Sequence, residues 1–172
     1  AHDLIIQAMA GTADLTRGMD GTPALTPMPS ADMAASLHAL SGIVMALYRR
    51  TQTGPNHGRG DYLDISMYDS LLSWVPNVTG AVFAEGRQPK RANMRSFGGN
   101  AFVNIYGTKD GGHIVLGGSE PKFVKNVLTA LGAPHLIDAM KNPVGQQTAV
   151  KAFLSENFQT KTQSEWEVIF KG

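Results

Sequence analysis

The chain of 172 residues contains no cysteine. Disulfide frameworks and thiolate metal sites are therefore excluded, and a reducing compartment such as the cytoplasm is expected. Purely apolar runs fall well short of the ~20 residues that cross a bilayer, and no charged segment leads into an apolar stretch at the start. A soluble protein without a membrane partner is the expectation. Charge of one sign is also scarce, with 15 Lys and Arg against 14 Asp and Glu and a formal net charge of +1. That balance argues against a dedicated nucleic-acid binder, although Arg87, Lys90, Arg91 and Arg95 form a small cluster able to meet phosphates. The five histidines, at 2, 38, 57, 113 and 135, lack ligand-like spacing, so no metal site is expected. A G-x-S-x-G elbow, a phosphate-cradling P-loop, internal repeats and low-complexity tracts are all missing.

What is present is globular and rich in turns: 42% hydrophobic residues, 17% charged residues and 19 glycines. A chain of this length makes one ordinary domain, or a large fragment and a small domain, burying about 70% of its unfolded surface. It begins without methionine and stops at Lys171-Gly172 just after a helical pattern. A piece of a longer protein is expected.

Asp3 can cap a short helix through Leu4, Ile5, Ala8 and Met9, ended by Gly11. Residues 12 to 29, with Asp20-Gly21 and three prolines, read as loop. The strongest pattern follows, with Ala34, Leu37, Leu40, Val44, Ala46 and Leu47 at helical spacing and Arg49-Arg50 at its C-terminal end; it predicts a helix over 31–50. A turn-rich connector from Gly54 to Gly60, through Asn56, precedes an alternating stretch over 62–66 that predicts a strand. A second long helix is predicted over 67–85. The basic, glycine-containing stretch 86–100 separates two units, placed at 1–95 and 96–172. In the second, 101–106 and 113–116 flank Thr108-Lys109-Asp110-Gly111-Gly112, a hairpin signal. Helices are predicted over 120–131, 148–157 and 162–170, the last with Thr162 and Glu165 as N-cap and first-turn acid.

One carboxylate stands out. With Ser30 as N-cap, Asp32 lies in the first turn of the long helix, where free N–H groups and the helix dipole favour negative charge. Two readings follow: an aspartate that merely caps the helix, or an anionic nucleophile presented to a carbonyl.

The run from Asp3 to Gly11, Asp32 before a helix ending in Ala46 to Gly54, and the run from Gly60 to Met67 together resemble the middle of family III CoA-transferases. The likeness continues through Thr108 to Gly112 and through Leu116 to Phe123, and so covers the whole chain. The resemblance implies an α/β fold, mixed α+β in this segment: the later part of a large domain with a Rossmann-like sheet, a connector, and a truncated small domain with a β-hairpin and helices. It also implies an interlocked homodimer. In such transferases the aspartate at the position of Asp32 attacks an acyl-CoA, giving a mixed anhydride and then an aspartyl-CoA thioester, which a second carboxylate resolves. Coenzyme A thioesters are then substrates, with no permanently bound cofactor. A glycine-rich loop shields the intermediates in formyl-CoA transferase, and Gly98, Gly99 and Asn100 occupy the corresponding place; an ordinary inter-domain hinge is the alternative.

The same superfamily includes α-methylacyl-CoA racemase, and its three functional positions resemble His2, Asp32 and Glu120. His2 lies 30 positions before Asp32, and Glu120 sits in Ser119-Glu120-Pro121. Racemisation would use His2 and Asp32 as acid and base on opposite faces of the α-carbon. Read without the resemblance, His2 is an exposed terminal residue and Glu120 a first-turn acid before Pro121. The function expected is transfer of CoA between an acyl-CoA and a free carboxylate through Asp32. The alternatives are the racemase, and a non-catalytic piece serving binding or dimer contacts.

Overall fold

Proline and glycine set most of the element boundaries in this chain. In the computed structural model, which describes residues 2–18, 21–55 and 57–171, two units form, Ala1–Arg87 and Gln88–Gly172. Residues 88–95 thus go with the second unit, where the Met94 carbonyl accepts the Gly99 N–H at 3.0 Å and Arg95 donates to the Ser119 hydroxyl.

In the first unit, α1 (Asp3–Met9) ends at Ala10, followed by Gly11 at φ +77°, the left-handed conformation that suits a residue without Cβ. The expected loop over 12–29 contains a single helical turn, α2 (Thr12–Leu15), and an isolated bridge between Arg17 and Pro23. Asp20 and Asn56, which the sequence places in turns, lie outside the described residues. The long helix α3 (Ser30–Thr51) matches its periodicity, with Arg49 and Arg50 in its last turn. Its N-cap is Pro29 rather than Ser30, which is already helical.

The strand expected over 62–66 does not form. That segment is without secondary structure and mostly exposed, since alternation alone makes no strand where no neighbour offers a ladder. The long helix expected over 67–85 is two helices, α4 (Met67–Ser73) and α5 (Pro76–Glu85). Pro76 has no N–H to continue the ladder, and its ring pushes Val75 to φ −119°, ψ 46°, out of helical geometry.

The buried centre of this unit is small: Ile6, Ala31 and Leu71, with Ala10 and Met67 against them. In α3, Leu37, Leu40, Ile43, Val44, Met45, Leu47 and Tyr48 remain between 48% and 69% exposed. Over 22 residues, with mean hydropathy 1.3 in its most apolar window, α3 is long and apolar enough to cross a membrane by length and composition. Counting uninterrupted apolar runs missed this, because Ser36, His38, Ser41 and Gly42 punctuate the helix without making it polar on average.

The second unit opens with two 3₁₀ turns, Arg91–Asn93 and Arg95–Phe97, and then the hairpin β1 (Val103–Gly107) and β2 (His113–Gly117). The strands are antiparallel, with Val103 opposite Gly117 and Ile105 opposite Val115. The two turn glycines serve different ends. Gly111 takes φ +80°, whereas a Cβ on Gly112 would lie 2.6 Å from Gln163 Oε1. Helices α6 (Pro121–Ala130), α7 (Thr148–Phe158) and α8 (Gln163–Ile169) follow, the last with a complete Thr162–Glu165 capping box. They bury Phe102, Tyr106, Leu128, Leu154, Phe158 and Trp166 in one core. The Trp166 indole N–H donates to the Phe158 carbonyl at 2.9 Å, so the largest buried ring leaves no polar atom unmet. The chain is thus mixed α/β. Its hairpin is the sheet among the described residues, which show no Rossmann-like sheet.

Candidate active site

Asp32 is the third residue of α3 and is exposed. No hydrogen bond or ion pair is made by its carboxylate among the described residues; only its main chain is engaged, the N–H donating to Asp3 Oδ1 at 3.2 Å and the carbonyl accepting from Ser36 Oγ at 2.8 Å. The reading of Asp32 as a helix cap therefore fails on geometry, because the capping is done by another residue.

That residue is Asp3. Sequence proximity makes Asp3 a cap for α1, but His2 is the N-cap there and makes no side-chain cap bond. The Asp3 carboxylate reaches across to α3, where Oδ1 accepts the N–H groups of Ala31 at 2.7 Å and Asp32 at 3.2 Å. Its other oxygen accepts from Gln7 Nε2 at 2.5 Å, and Gln7 is only 3% exposed. Sequence reasoning missed this tertiary cap because 28 residues separate the partners. The available signal was Pro29 itself, an N-cap with no side-chain acceptor.

His2 is exposed at the head of α1, one residue before Asp3, and its carbonyl accepts the N–H groups of Ile5 and Ile6. The first unit thus brings the starts of α1 and α3 together through Asp3. Glu120 belongs to the second unit, as the exposed N-cap of α6 with Pro121 at the first helical position. Its side chain folds toward Gly118, where an added Cβ would meet Glu120 Oε2 and Phe123 at 3.1 Å each.

Gly98, Gly99 and Asn100 are pinned. Gly98, at φ +84°, has its carbonyl held by Lys151 Nζ at 2.7 Å, and burial pulls that ammonium below the usual lysine range. Gly99 is buried, its carbonyl bonded by the Gly145 N–H at 3.2 Å. Asn100 is 6% exposed and its side chain accepts the Phe102 N–H at 2.7 Å. The sequence offers a shielding glycine-rich loop or an inter-domain hinge here; in this structure the segment packs as an interior corner of the second unit. Gly99 is required there because a Cβ would lie 2.5 Å from the Met94 carbonyl and 2.8 Å from that of Ala92.

Elsewhere in the first unit a cleft of about 390 Å³ is lined by His38, Asp64, Ile65, Ser66, Asp69 and Ser70. His38 spans α3 and α4, with Nδ1 2.8 Å from the Ala34 carbonyl and Nε2 3.3 Å from Ser73 Oγ. These bonds brace the helices. Among the described residues no group of three or more His, Asp or Glu is placed to hold a metal.

A family model described as CoA-transferase family III matches residues 1–172. The chain is 28% identical, over 99% of its length and 44% of the relative's, to an acetyl-CoA:oxalate CoA-transferase of Acetobacter aceti. It is 30% identical, over 99% of its length and 44% of the relative's, to the α-methylacyl-CoA racemase of Homo sapiens. A solved structure of a hypothetical protein from Mycobacterium tuberculosis shares its fold, with a TM-score of 0.73, 21% identity, and coverage of 99% of this chain and 45% of that one. The chain spans less than half the length of each of these proteins.

Proposed function

Because the chain belongs to CoA-transferase family III, we propose that it carries the nucleophile of an enzyme moving CoA between an acyl-CoA thioester and a free carboxylate. The observation that supports this most is the state of Asp32, whose main chain is tied down while its carboxylate stays exposed and unbonded. A capping or salt-bridged aspartate would have to give up a partner before reacting; this one does not.

The chemistry requires two covalent half-reactions. An Asp32 oxygen adds to the thioester carbon and the C–S bond breaks, giving a mixed anhydride and the CoA thiolate. The thiolate then adds to the Asp32 carbonyl carbon, releasing the first carboxylate and leaving an aspartyl-CoA thioester. An incoming carboxylate reverses both steps, departing as the new acyl-CoA and restoring Asp32. No water and no net proton enter. In full-length protein given an acyl-CoA, hydroxylamine should trap Asp32 as a hydroxamate, and Asp32→Asn should lower CoA exchange by at least about 10³-fold. Unchanged exchange in Asp32→Asn would sink the reading.

A racemase is the second reading, favoured by the placement of His2 beside the residue that anchors Asp32 and by the 30% identical racemase relative. It would place His2 and Asp32 as acid and base. Its signature is exchange of the α-hydrogen of a 2-methylacyl-CoA with deuterated water, without any carboxylate acceptor. In either reading the apolar side chains left uncovered on α3 offer a surface for the remainder of a longer chain or for a second copy in a dimer.

A further inference from the structure

We infer that Asp3, acting with Pro29, is a positioning residue that keeps the Asp32 carboxylate free to react; the inference rests on the nucleophilic role proposed above. A helix start offers an acid in its first turn two ways to be neutralised. It can reach back to the N-cap N–H, as the acid of a capping box does, or it can lie against the unpaired N–H groups of the first turn. The first is closed here, and the second is largely occupied. Pro29 is the N-cap of α3 and has no N–H to offer. The N–H groups of Ala31 and Asp32 are already taken by Asp3 Oδ1, at 2.7 and 3.2 Å.

The Asp3 carboxylate is itself held. Its second oxygen takes Gln7 Nε2 at 2.5 Å, and Gln7, almost fully buried, points the same amide nitrogen at the Met28 carbonyl at 3.4 Å. Ala31 is 0% exposed, so with Asp3 in place its N–H is shielded from water and has that carboxylate as its partner. This clamp joins α1, the segment before Pro29 and the first turn of α3, and fixes the main chain from which the Asp32 side chain projects. Asp3 touches no reacting atom in this scheme. Its negative charge sits on the positive end of α3, so the dipole is answered before Asp32 draws on it.

The test uses full-length protein and two independent readouts. One is the rate of hydroxylamine-trapped Asp32 adduct under saturating acyl-CoA, with KM measured alongside; the other is hydrogen exchange of the Ala31–Asp32 amides by mass spectrometry. Asp3→Ala should slow trapping by about 10- to 100-fold with KM changed less than about threefold, and should speed exchange at both amides. Asp3→Asn, which keeps an acceptor oxygen, should recover most of the trapping rate and the amide protection. Pro29→Ala, which gives Asp32 an N–H to close on, should slow trapping while leaving those amides protected. Wild-type trapping rates in Asp3→Ala and Pro29→Ala, or unchanged exchange in Asp3→Ala, would overturn the inference. Absence of any Asp32 adduct in the wild type would fail the nucleophile reading instead, and the exchange arm would still decide whether the clamp exists.

Discussion

Replacing Gly99 by alanine tests whether the glycine segment of the second unit is a packed corner or a moving flap. Gly99 has no positive φ, so alanine meets no backbone strain; the penalty is entirely contact. Its Cβ would approach the Met94 carbonyl oxygen to 2.5 Å, the Ala92 carbonyl oxygen to 2.8 Å and Val144 Cγ1 to 2.8 Å. Only the valine can yield cheaply. The Met94 oxygen already accepts N–H groups from Phe97 at 3.2 Å and Gly99 at 3.0 Å, so moving it loosens the turn that forms the corner. Overpacking of this kind costs about 2–3 kcal/mol, which in a unit of this size lowers Tm by roughly 10–20 °C. Gly98→Ala makes the control: its φ of +84° is strained for alanine, but its nearest neighbour is Asn104 Oδ1 at 3.7 Å. The expected cost there is about 1 kcal/mol. Urea unfolding followed by Trp166 fluorescence, in a Trp74→Phe background, reads the second unit specifically. A Gly99→Ala cost within about 0.5 kcal/mol of zero, or a larger cost for Gly98→Ala, would refute the packed-corner argument.

Phe158→Ala removes a fully buried ring that contacts Tyr106, Trp166 and Phe170 with centroids 5.5, 5.2 and 6.3 Å away; a loss of about 3–5 kcal/mol in the same unfolding assay is expected. Alkaline stability should report on Tyr106, whose phenol burial pushes up to about 12 while its hydroxyl donates to the Ala101 carbonyl at 2.7 Å. Because the folded-state value is raised, this contribution is intact below the ordinary pKa of about 10 and is lost between pH 10 and 12, where only the unfolded chain ionises. Urea midpoints at pH 9 and pH 11 should therefore fall more steeply for the wild type than for Tyr106→Phe; parallel falls would contradict the assignment. Two further outcomes were set out above: loss of exchange and trapping in Asp32→Asn, and slowed trapping with near-constant KM in Asp3→Ala, recovered by Asp3→Asn.

Local chemistry was readable where the residues that decide an outcome sit close together. The helix over Ser30–Thr51, the hairpin turned at Gly111-Gly112 and the Thr162–Glu165 capping box all follow from patterns only a few residues apart. Pro76 was an equally local signal, and overlooking it merged two helices into one. The strand expected over 62–66 failed for a different reason: pairing depends on a neighbour, and alternation carries no information about whether one is present. At the candidate site, Asp32 was legible as a first-turn acid, but its hydrogen-bonding state was not. Pro29 and Asp3 decide that state, and Asp3 acts from another helix. The pinning of Gly98 by Lys151 is of the same long-range kind, with 53 positions between partners.

The two units are unevenly finished inside. The second closes around a dense aromatic centre, whereas α3 in the first shows most of its large apolar side chains to solvent. An element in that condition takes its rigidity from whatever surface comes to rest on it. The carboxylate proposed to react stands at the head of that same helix, so one element joins a first turn tied down by Asp3 to an apolar length left bare, and polar substitutions along that length can be made without touching the clamp.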